Sequence, residues 1–368
     1  MAKKEKIKIV MVAPADNPHT KRFADAFLSL GYELKVVSYE QGVIDGAEVY
    51  VHSNIPEDMR GIRRKWEYFK DYAKVRGILE WADVVFVNFI YNWRFNEVYR
   101  GLKNVVVLLW GSDVVYRVDE TAENVKYKKL ILSIASRILA FSKFLATEAN
   151  MYLPDGKEIE VLRVGVDVDH YYPVKKTWAE DAPIIIGYAK GLNVKYGAEY
   201  LIKACDYLKQ DGLNFRCRIA GGGDLEVPLK VMVNRLGLDD YVEFVGKLPH
   251  DAVADFMREI DIFVMPSVCQ ESYGVAVLEA SATGIPVIAS DVGGVPEVLW
   301  DDETGILVES EDPVELASAL KLLIANPDIR GCMGRQGRDF VKTNFPWEKT
   351  IERLDEIFRE VIAESCKG

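Results

Sequence analysis

The sequence predicts an α/β protein made of two doubly wound domains. Its length of 368 residues is sufficient for two domains that each bury a core of their own. Short runs of β-branched and other apolar residues alternate with segments of helical length, a pattern typical of parallel strands joined by crossover helices. The alternation begins near residue 7 and begins again near residue 184, so we expect one parallel sheet in each half.

The first predicted domain covers residues 1–170. The loop PADNPHT, between its first strand and first helix, lacks the GxGxxG pattern of a dinucleotide-binding turn, which argues against a dehydrogenase. The predicted strands cover residues 7–13, 34–38, 84–87, 105–109, 137–140 and 160–162. Because the loops after parallel strands meet at one edge of their sheet, we expect a ligand to bind at that edge.

The second predicted domain covers residues 171–345 and follows a connecting segment that contains GVDVDHYYP. Its predicted strands cover residues 184–188, 215–220, 242–246, 261–266 and 287–289. A final helix, at about 346–368, carries apolar residues along one side and should therefore pack on a core.

Composition and charge exclude several classes of protein. The five cysteines are widely spaced without a CxxC pair, and the four histidines are scattered, so neither a disulfide framework nor a zinc site is expected. Residues 1–100 hold 16 Lys and Arg against 14 Asp and Glu, and the remainder holds 30 against 43, which argues against a nucleic acid partner. The first apolar run is too short for a signal peptide and no segment could span a bilayer, so we expect a cytoplasmic location.

The stretch 266–296 carries the clearest functional signal. It reads as a strand end, a polar loop with Glu271, a helix with Glu279, a Gly-Pro break, a second strand and a glycine turn. The free N–H groups of a helix N-terminus attract phosphate, and carboxylates beside them can accept hydrogen bonds from hydroxyl groups. The stretch therefore predicts a phosphorylated polyol as ligand, whereas two solvated surface acids are the alternative.

The same stretch resembles a known signature. The fragments ESYGVAVLEA, GIPVIASDVGGVPEVL and TGILV look like the donor-binding region of retaining glycosyltransferases of family 4, which have the GT-B fold. The resemblance implies two Rossmann-like domains that face each other across a cleft, with the helix at 346–368 returning to the first domain. It also implies a nucleotide diphosphate sugar as donor, a hydroxyl-bearing acceptor, and no metal or other cofactor.

By this resemblance, the glutamates and the helix start contact different parts of the donor. Glu271 is expected to be the catalytic residue that reaches hydroxyl groups of the transferred sugar, and Glu279 to bind the ribose. The N–H groups near Gly274 and Val275 should face the pyrophosphate. Glycine has no side chain, so a ligand can approach the backbone closely at that position. Leu248 lies in the segment expected beside the base.

Two lysines are predicted to neutralise the diphosphate. Lys190 stands where the family usually has arginine, and Lys195 follows five residues later, with Tyr196 inserted before Gly197. Lysine keeps the charge of arginine but lacks its bidentate fork, so positioning should be looser. Two ordinary surface lysines are the alternative.

The acceptor side departs from the family pattern. Many relatives have a histidine in an HGSD-like stretch, whereas this chain reads WGSD, with Trp110 in place of the histidine and Asp113 retained. His19, in the loop after the first strand, is the other candidate, although a structural histidine at a helix start is as good an interpretation.

The segment from Arg60 to Arg76 carries seven cationic and two acidic residues. Ile62, Trp66, Phe69 and Ala73 follow helical spacing along it. We expect this apolar stripe to pack on the protein's own sheet, and adsorption to an anionic membrane surface is the alternative.

The resemblance implies a retaining hexosyltransferase that acts on a glycan, a lipid-linked or a small-molecule acceptor. A degenerate homologue that binds nucleotide sugar as a sensor or partner subunit is the alternative, because Trp110 replaces the usual histidine.

Overall fold

The computed structural model describes residues 6–52, 61–90, 97–111, 113–115, 120–175 and 182–366, without side chains at 61–66 and 68. The chain forms two compact units, one of Met1–Leu162 with Ile351–Gly368 and the other of Arg163–Thr350. Each unit contains a parallel sheet flanked by helices, so the predicted pair of Rossmann-like α/β domains is confirmed. The predicted cleft between them stays a prediction.

The first unit, in its described part, has a seven-stranded parallel sheet in the order β3-β2-β1-β4-β5-β6-β7. Its strands are β1 Lys8–Val12, β2 Glu33–Ser38, β3 Glu48–Val51, β4 Val84–Val87, β5 Val105–Leu109, β6 Arg137–Ala140 and β7 Ile159–Val161. Its helices are α1 Pro18–Ser29, α2 Gly61–Glu80, α3 Ala122–Ile134 and α4 Lys143–Ala149. Strand β3 was not predicted, because it lies at the sheet edge, is only partly buried and so lacks an apolar run.

Helix α2 packs on the sheet through a different face from the predicted one. Phe69 is 62% exposed and Ala73 is exposed, whereas Val75 and Leu79 are fully buried. The buried face also carries Asp71, whose carboxylate accepts a 2.6 Å hydrogen bond from the Tyr50 hydroxyl of β3. The prediction that the stripe packs on the sheet is therefore wrong at Phe69 and Ala73, because Val75 and Leu79 form the buried apolar face of this helix instead.

Two predicted members of that stripe, Ile62 and Trp66, have side chains outside the described residues.

The last helix, α11 Trp347–Ser365, contributes residues from Ile351 onward to the first unit. Leu354, Phe358 and Val361 are fully buried there. The Phe358 ring lies 5.4 Å from the ring of Phe27 and 5.4 Å from the ring of Phe86. This helix is therefore part of the core of the first unit.

The division between the units falls after Leu162, whereas the sequence placed it after residue 170. Val166 forms a parallel bridge with Pro346, and the Gly165 N–H donates a 2.8 Å hydrogen bond to the Thr350 hydroxyl. These contacts attach the connecting segment to the second unit. Composition carries no sign of them, because they join positions almost 200 residues apart in sequence.

The second unit, in its described part, has a six-stranded parallel sheet in the order β10-β9-β8-β11-β12-β13. Its strands are β8 Ile184–Ala189, β9 Phe215–Ala220, β10 Val242–Gly246, β11 Ile262–Met265, β12 Val287–Ser290 and β13 Gly305–Val308. Its helices are α5 Ala198–Gln210, α6 Glu226–Arg235, α7 His250–Glu259, α8 Val275–Ala282, α9 Pro313–Ala325 and α10 Pro327–Asn344.

The strand order reverses between β8 and β11 in the second sheet and between β1 and β4 in the first. Loops that leave neighbouring strands in opposite directions open a crevice at the carboxyl edge of the sheet, which is where open α/β sheets bind ligands. Each unit therefore has one sheet edge at which a ligand is expected to bind.

Candidate functional site

A cavity of about 500 Å³ lies at the carboxyl edge of the second sheet. It is lined by the last residues of β8 and β9, by residues that follow β8, β9 and β10, and by one residue of α7: Ala189, Lys190, Gly191, Ala220, Gly221, Gly222, Gly223, Lys247, Leu248 and Val253. Two predicted donor-binding residues, Lys190 and Leu248, thus line one cavity beside the switch point.

Glu271 lies on the other side of that switch point, in the loop after β11. The residue is 8% exposed, and its Oε1 accepts hydrogen bonds from the Lys190 ammonium and, at 2.7 Å, from the Ser267 hydroxyl. A buried carboxylate is costly unless it is paired and hydrogen-bonded, and Lys190 and Ser267 provide the ion pair and the hydrogen bond here. Ser267 is a site residue that the sequence analysis missed, because a serine after a strand carries no distinguishing pattern.

The loop after β12 holds the backbone of Glu271. The Gly294 N–H donates a 2.8 Å hydrogen bond to the Glu271 carbonyl oxygen. Gly293 has φ +59°, and a Cβ there would lie 2.1 Å from the same oxygen. Only glycine fits at that position, which gives the VGG fragment of the signature a physical role.

Helix α8 begins at Val275, with Gly274 at φ +99° as the preceding residue. No side chain caps the helix, and the N–H groups of Gly274, Val275 and Ala276 have no acceptor among the described residues. Such a group of donors at a positive helix end attracts anions. Glu279, half-buried, lies one turn further along the same helix.

The loop between β8 and α5 brings two positive charges to this edge. The Lys195 carbonyl oxygen accepts hydrogen bonds from the Val268 N–H at 2.9 Å and the Cys269 N–H at 3.1 Å, so the loops after β8 and β11 are joined. The ammonium groups of Lys190 and Lys195 lie 4.7 Å and 4.8 Å from the centroid of the Tyr196 ring. The predicted donor residues of this unit thus lie on loops of one sheet edge and on the helix that starts there.

The carboxyl edge of the first sheet is aromatic. The rings of His19 and Trp110 lie 4.8 Å apart, and the Trp110 ring lies 4.6 Å from that of Phe141. The Trp110 indole N–H donates a 3.1 Å hydrogen bond to Oδ1 of Asn88, which is 2% exposed. Two predicted acceptor-side residues are therefore in contact, and Asn88, at the end of β4, is an additional residue that the sequence did not mark.

Asp113 is engaged by its own loop. Its carboxylate accepts hydrogen bonds from the backbone N–H of Trp110, at 3.1 Å, and of Gly111, at 2.8 Å. Burial raises the pKa of the Asp113 carboxyl, and the backbone hydrogen bonds oppose that rise. These contacts give Asp113 a structural function in the turn after β5.

Three further observations concern only the described part of the chain. It contains no group of three or more His, Cys, Asp or Glu side chains that could hold a metal ion. None of its helices is long and apolar enough to cross a bilayer. The five cysteines all lie within it, and no disulfide joins them.

The sequence of the second unit is similar to those of known proteins. Residues 173–340 match the family model of glycosyl transferases group 1. A D-inositol 3-phosphate glycosyltransferase of Corynebacterium efficiens is 30% identical over 239 residues, which is 61% of this chain and 56% of that protein. The putative colanic acid biosynthesis glycosyltransferase WcaL of Escherichia coli is 36% identical over 169 residues, 45% of this chain and 41% of that protein. The chain thus spans about half the length of the curated relatives it matches.

Solved structures resemble the whole chain. Sucrose-phosphate synthase from Thermosynechococcus elongatus superimposes with a TM-score of 0.81 at 20% identity, covering 98% of this chain and 100% of that one. HepE from Anabaena, in complex with UDP and glucose, has a TM-score of 0.79 at 19% identity, with coverage of 96% and 99%. At these identities the likeness concerns the fold, and the neighbours are GT-B proteins.

Proposed function

We propose that the protein is a glycosyltransferase that binds a nucleotide diphosphate sugar at the carboxyl edge of the second sheet. The observation that carries the proposal is the Lys190–Glu271 pair across the switch point, beside a cavity and an uncapped helix start. Cationic groups and helix N–H donors suit a diphosphate, and a buried carboxylate suits sugar hydroxyl groups. The named relatives are glycosyltransferases, and the HepE structure contains UDP and glucose, which supports the same ligand class.

The donor would be held in three parts. Lys190, Lys195 and the N–H groups of α8 neutralise the diphosphate, so that the leaving group departs without a metal ion. Glu279 accepts hydrogen bonds from the ribose. The base occupies the cavity beside Leu248, where four glycines leave room for a flat ring.

Transfer would proceed with retention, as in family 4 enzymes. The bond between the sugar carbon and the phosphate oxygen breaks while the acceptor hydroxyl attacks on the same face. The departing phosphate oxygen takes the acceptor's proton, so no base from the protein is required. Glu271 stabilises the positive charge that develops on the sugar ring, because a fixed carboxylate is most effective where charge appears in the transition state.

The acceptor would bind on the first unit, at the edge formed by His19 and Trp110. Their rings, which are tilted by 48° to each other, offer apolar surface that suits the faces of a sugar or polyol. We place this reaction in the cytoplasm.

A membrane-bound acceptor would agree with the exposed face of α2. Phe69 is 62% exposed and Tyr72 is 39% exposed, and Lys70 and Lys74 lie on the same helix. Aromatic side chains beside lysines favour an anionic lipid surface. The protein should sediment with anionic vesicles at low salt and detach as salt rises, since surface attraction is screened. Equal recovery with neutral vesicles would favour an acceptor in solution.

A panel of UDP, GDP and ADP sugars tests the proposed function directly. A ligand that binds only the native state raises its melting temperature, and a catalytic site should also release free nucleotide slowly by donor hydrolysis. We expect one nucleotide series to stabilise the protein and at least one of its sugars to be hydrolysed. Stabilisation without hydrolysis or transfer would indicate a sensor, and no stabilisation by any donor would contradict the proposal.

A further inference from the structure

Tyr196 is an unassigned residue of the donor-binding edge that contacts both candidate phosphate-binding lysines. The ammonium nitrogens of Lys190 and Lys195 lie 4.7 Å and 4.8 Å from its ring centroid, within the range of a cation–π interaction. Lys195 is adjacent to Tyr196 in the sequence, whereas Lys190 precedes it by six residues and reaches the ring only through the fold of the loop. The Tyr196 ring therefore contacts two positively charged ammonium groups.

The loop fixes the position of this ring. The Tyr196 ring packs on the core of the second unit and lies against Gly191, where an added Cβ would be 3.4 Å from the ring. The fully buried Tyr188 donates its hydroxyl to the carbonyl oxygens of Gly191 at 3.0 Å and of Tyr196 at 3.4 Å. The Tyr196 hydroxyl makes no hydrogen bond within the described part of the chain. The ring, and not the hydroxyl, therefore contacts the lysines.

We propose that Tyr196 is a positioning residue that holds the Lys190 and Lys195 ammonium groups ready for the diphosphate. This inference rests on the proposed donor site. A lysine loses considerable side-chain entropy when it is ordered, and lysine lacks the rigid fork of arginine. Two ammonium groups near one another also repel. The negative face of an aromatic ring offsets both effects before the ligand arrives, so less free energy is lost on binding.

Replacement of the ring tests this assignment. Tyr196→Leu keeps an apolar side chain against the core but removes the aromatic face, and Tyr196→Phe keeps the ring. Calorimetry with UDP, GDP and ADP should show that Tyr196→Leu raises the dissociation constant of the best nucleotide by roughly fivefold to thirtyfold, the scale of two weak cation–π contacts. Tyr196→Phe should stay within about twofold of the unmodified protein, since the hydroxyl makes no hydrogen bond.

A double-mutant cycle separates positioning from general stability. In the Lys195→Ala background one of the two cations is absent, so the effect of Tyr196→Leu on affinity should fall by about half on a logarithmic scale. Equal effects in both backgrounds, or equal losses in the Leu and Phe variants, would overturn the proposal. If Tyr196→Leu and Tyr196→Met both fail to fold while Tyr196→Phe folds, the ring has only a packing role and the proposal is also overturned.

A failure of the role inferred for Tyr196 can be distinguished from a failure of the proposed function. If the unmodified protein binds none of the three nucleotides, the donor site itself is wrong. If it binds one, and Lys195→Ala weakens binding while Tyr196→Leu does not, only the role of Tyr196 is wrong.

Discussion

The carboxyl edges of the two sheets have the same topology and different chemistry. In the second unit, the loops at the switch point bring together Lys190, Glu271 and the uncapped start of α8. In the first unit, the equivalent edge brings together the rings of His19 and Trp110 over the amide of Asn88. Because the strands provide the crevice and the loops provide the groups, the fold alone does not determine which ligand is bound.

A comparison of two buried carboxylates, one at each edge, sharpens this difference. Asp113 of the first unit accepts hydrogen bonds from backbone N–H groups, which no ligand can displace without opening the turn. Glu271 of the second unit accepts hydrogen bonds from two side chains, Lys190 and Ser267, which a ligand can replace without opening a backbone turn. One acid therefore stabilises its loop, and the other is available to a ligand.

The largest effect is expected from Glu271→Gln. This substitution should lower turnover about a hundredfold, the scale of one lost electrostatic contact in a transition state, and leave affinity for the free nucleotide almost intact. Asp113→Asn is the matched control, and it should reduce thermal stability while turnover at saturation changes little. Steady-state kinetics and calorimetry on both variants check this.

A loss of nucleotide binding by Glu271→Gln with turnover kept at saturation would reverse the roles assigned to the two glutamates of the signature. Glu279→Gln should instead weaken the binding of free nucleotide and nucleotide sugar by a similar factor, since both contain the ribose, which is the signature of uniform binding.

A smaller effect is expected from Lys195→Ala. A charge-assisted contact is worth about 1.5 to 3 kcal/mol, so nucleotide affinity should fall about tenfold or more. Lys203→Ala removes the same charge from α5, where the lysine lies 3.8 Å from Glu199 on the helix surface, and should leave affinity unchanged. Calorimetry that finds equal losses for both variants would mean that only net charge matters.

The smallest effect is expected on the free energy of unfolding, when alanine replaces either of two glycines that have a left-handed backbone conformation. Gly274→Ala should reduce the free energy of unfolding of the second unit by about 1–2 kcal/mol, because Cβ is disfavoured at positive φ. Its φ is +99°, and the new Cβ would also lie 3.2 Å from a Val298 methyl group. Gly31→Ala in the first unit has φ +82° and open space around Cβ, so it should lose less. Urea unfolding that ranks Gly31→Ala as the more harmful would contradict this account.

The sequence predicted most of the fold, because buried parallel strands are apolar along their whole length. The strands at Val84–Val87, Val105–Leu109 and Phe215–Ala220 have the predicted bounds. The half-exposed edge strand at Glu48–Val51 was missed. The predicted buried face of α2 was wrong, because helical spacing alone does not decide which of two apolar stripes faces the sheet, and Val75 and Leu79 are the residues that do.

The candidate site was predicted where a motif is contiguous. Glu271, Gly274 and Glu279 fall in one stretch, so their neighbourhood could be recognised from the sequence. Ser267 and Asn88 could not be recognised, because their function depends on partners from other strands. The same is true of the contact that Tyr196 makes with both lysines.

Hydrogen exchange with and without nucleotide tests the central claim most directly, which is that the donor binds at the edge of the second unit. Ligand binding raises protection of the amides that it contacts or orders. With saturating UDP, GDP or ADP, whichever binds, we expect slower exchange at residues 190–197 and at Gly274, Val275 and Ala276. Exchange should be unchanged at residues 14–19, which form the loop before α1 and the start of that helix. Protection at 14–19 without any protection at 190–197 or at the start of α8 would contradict the account.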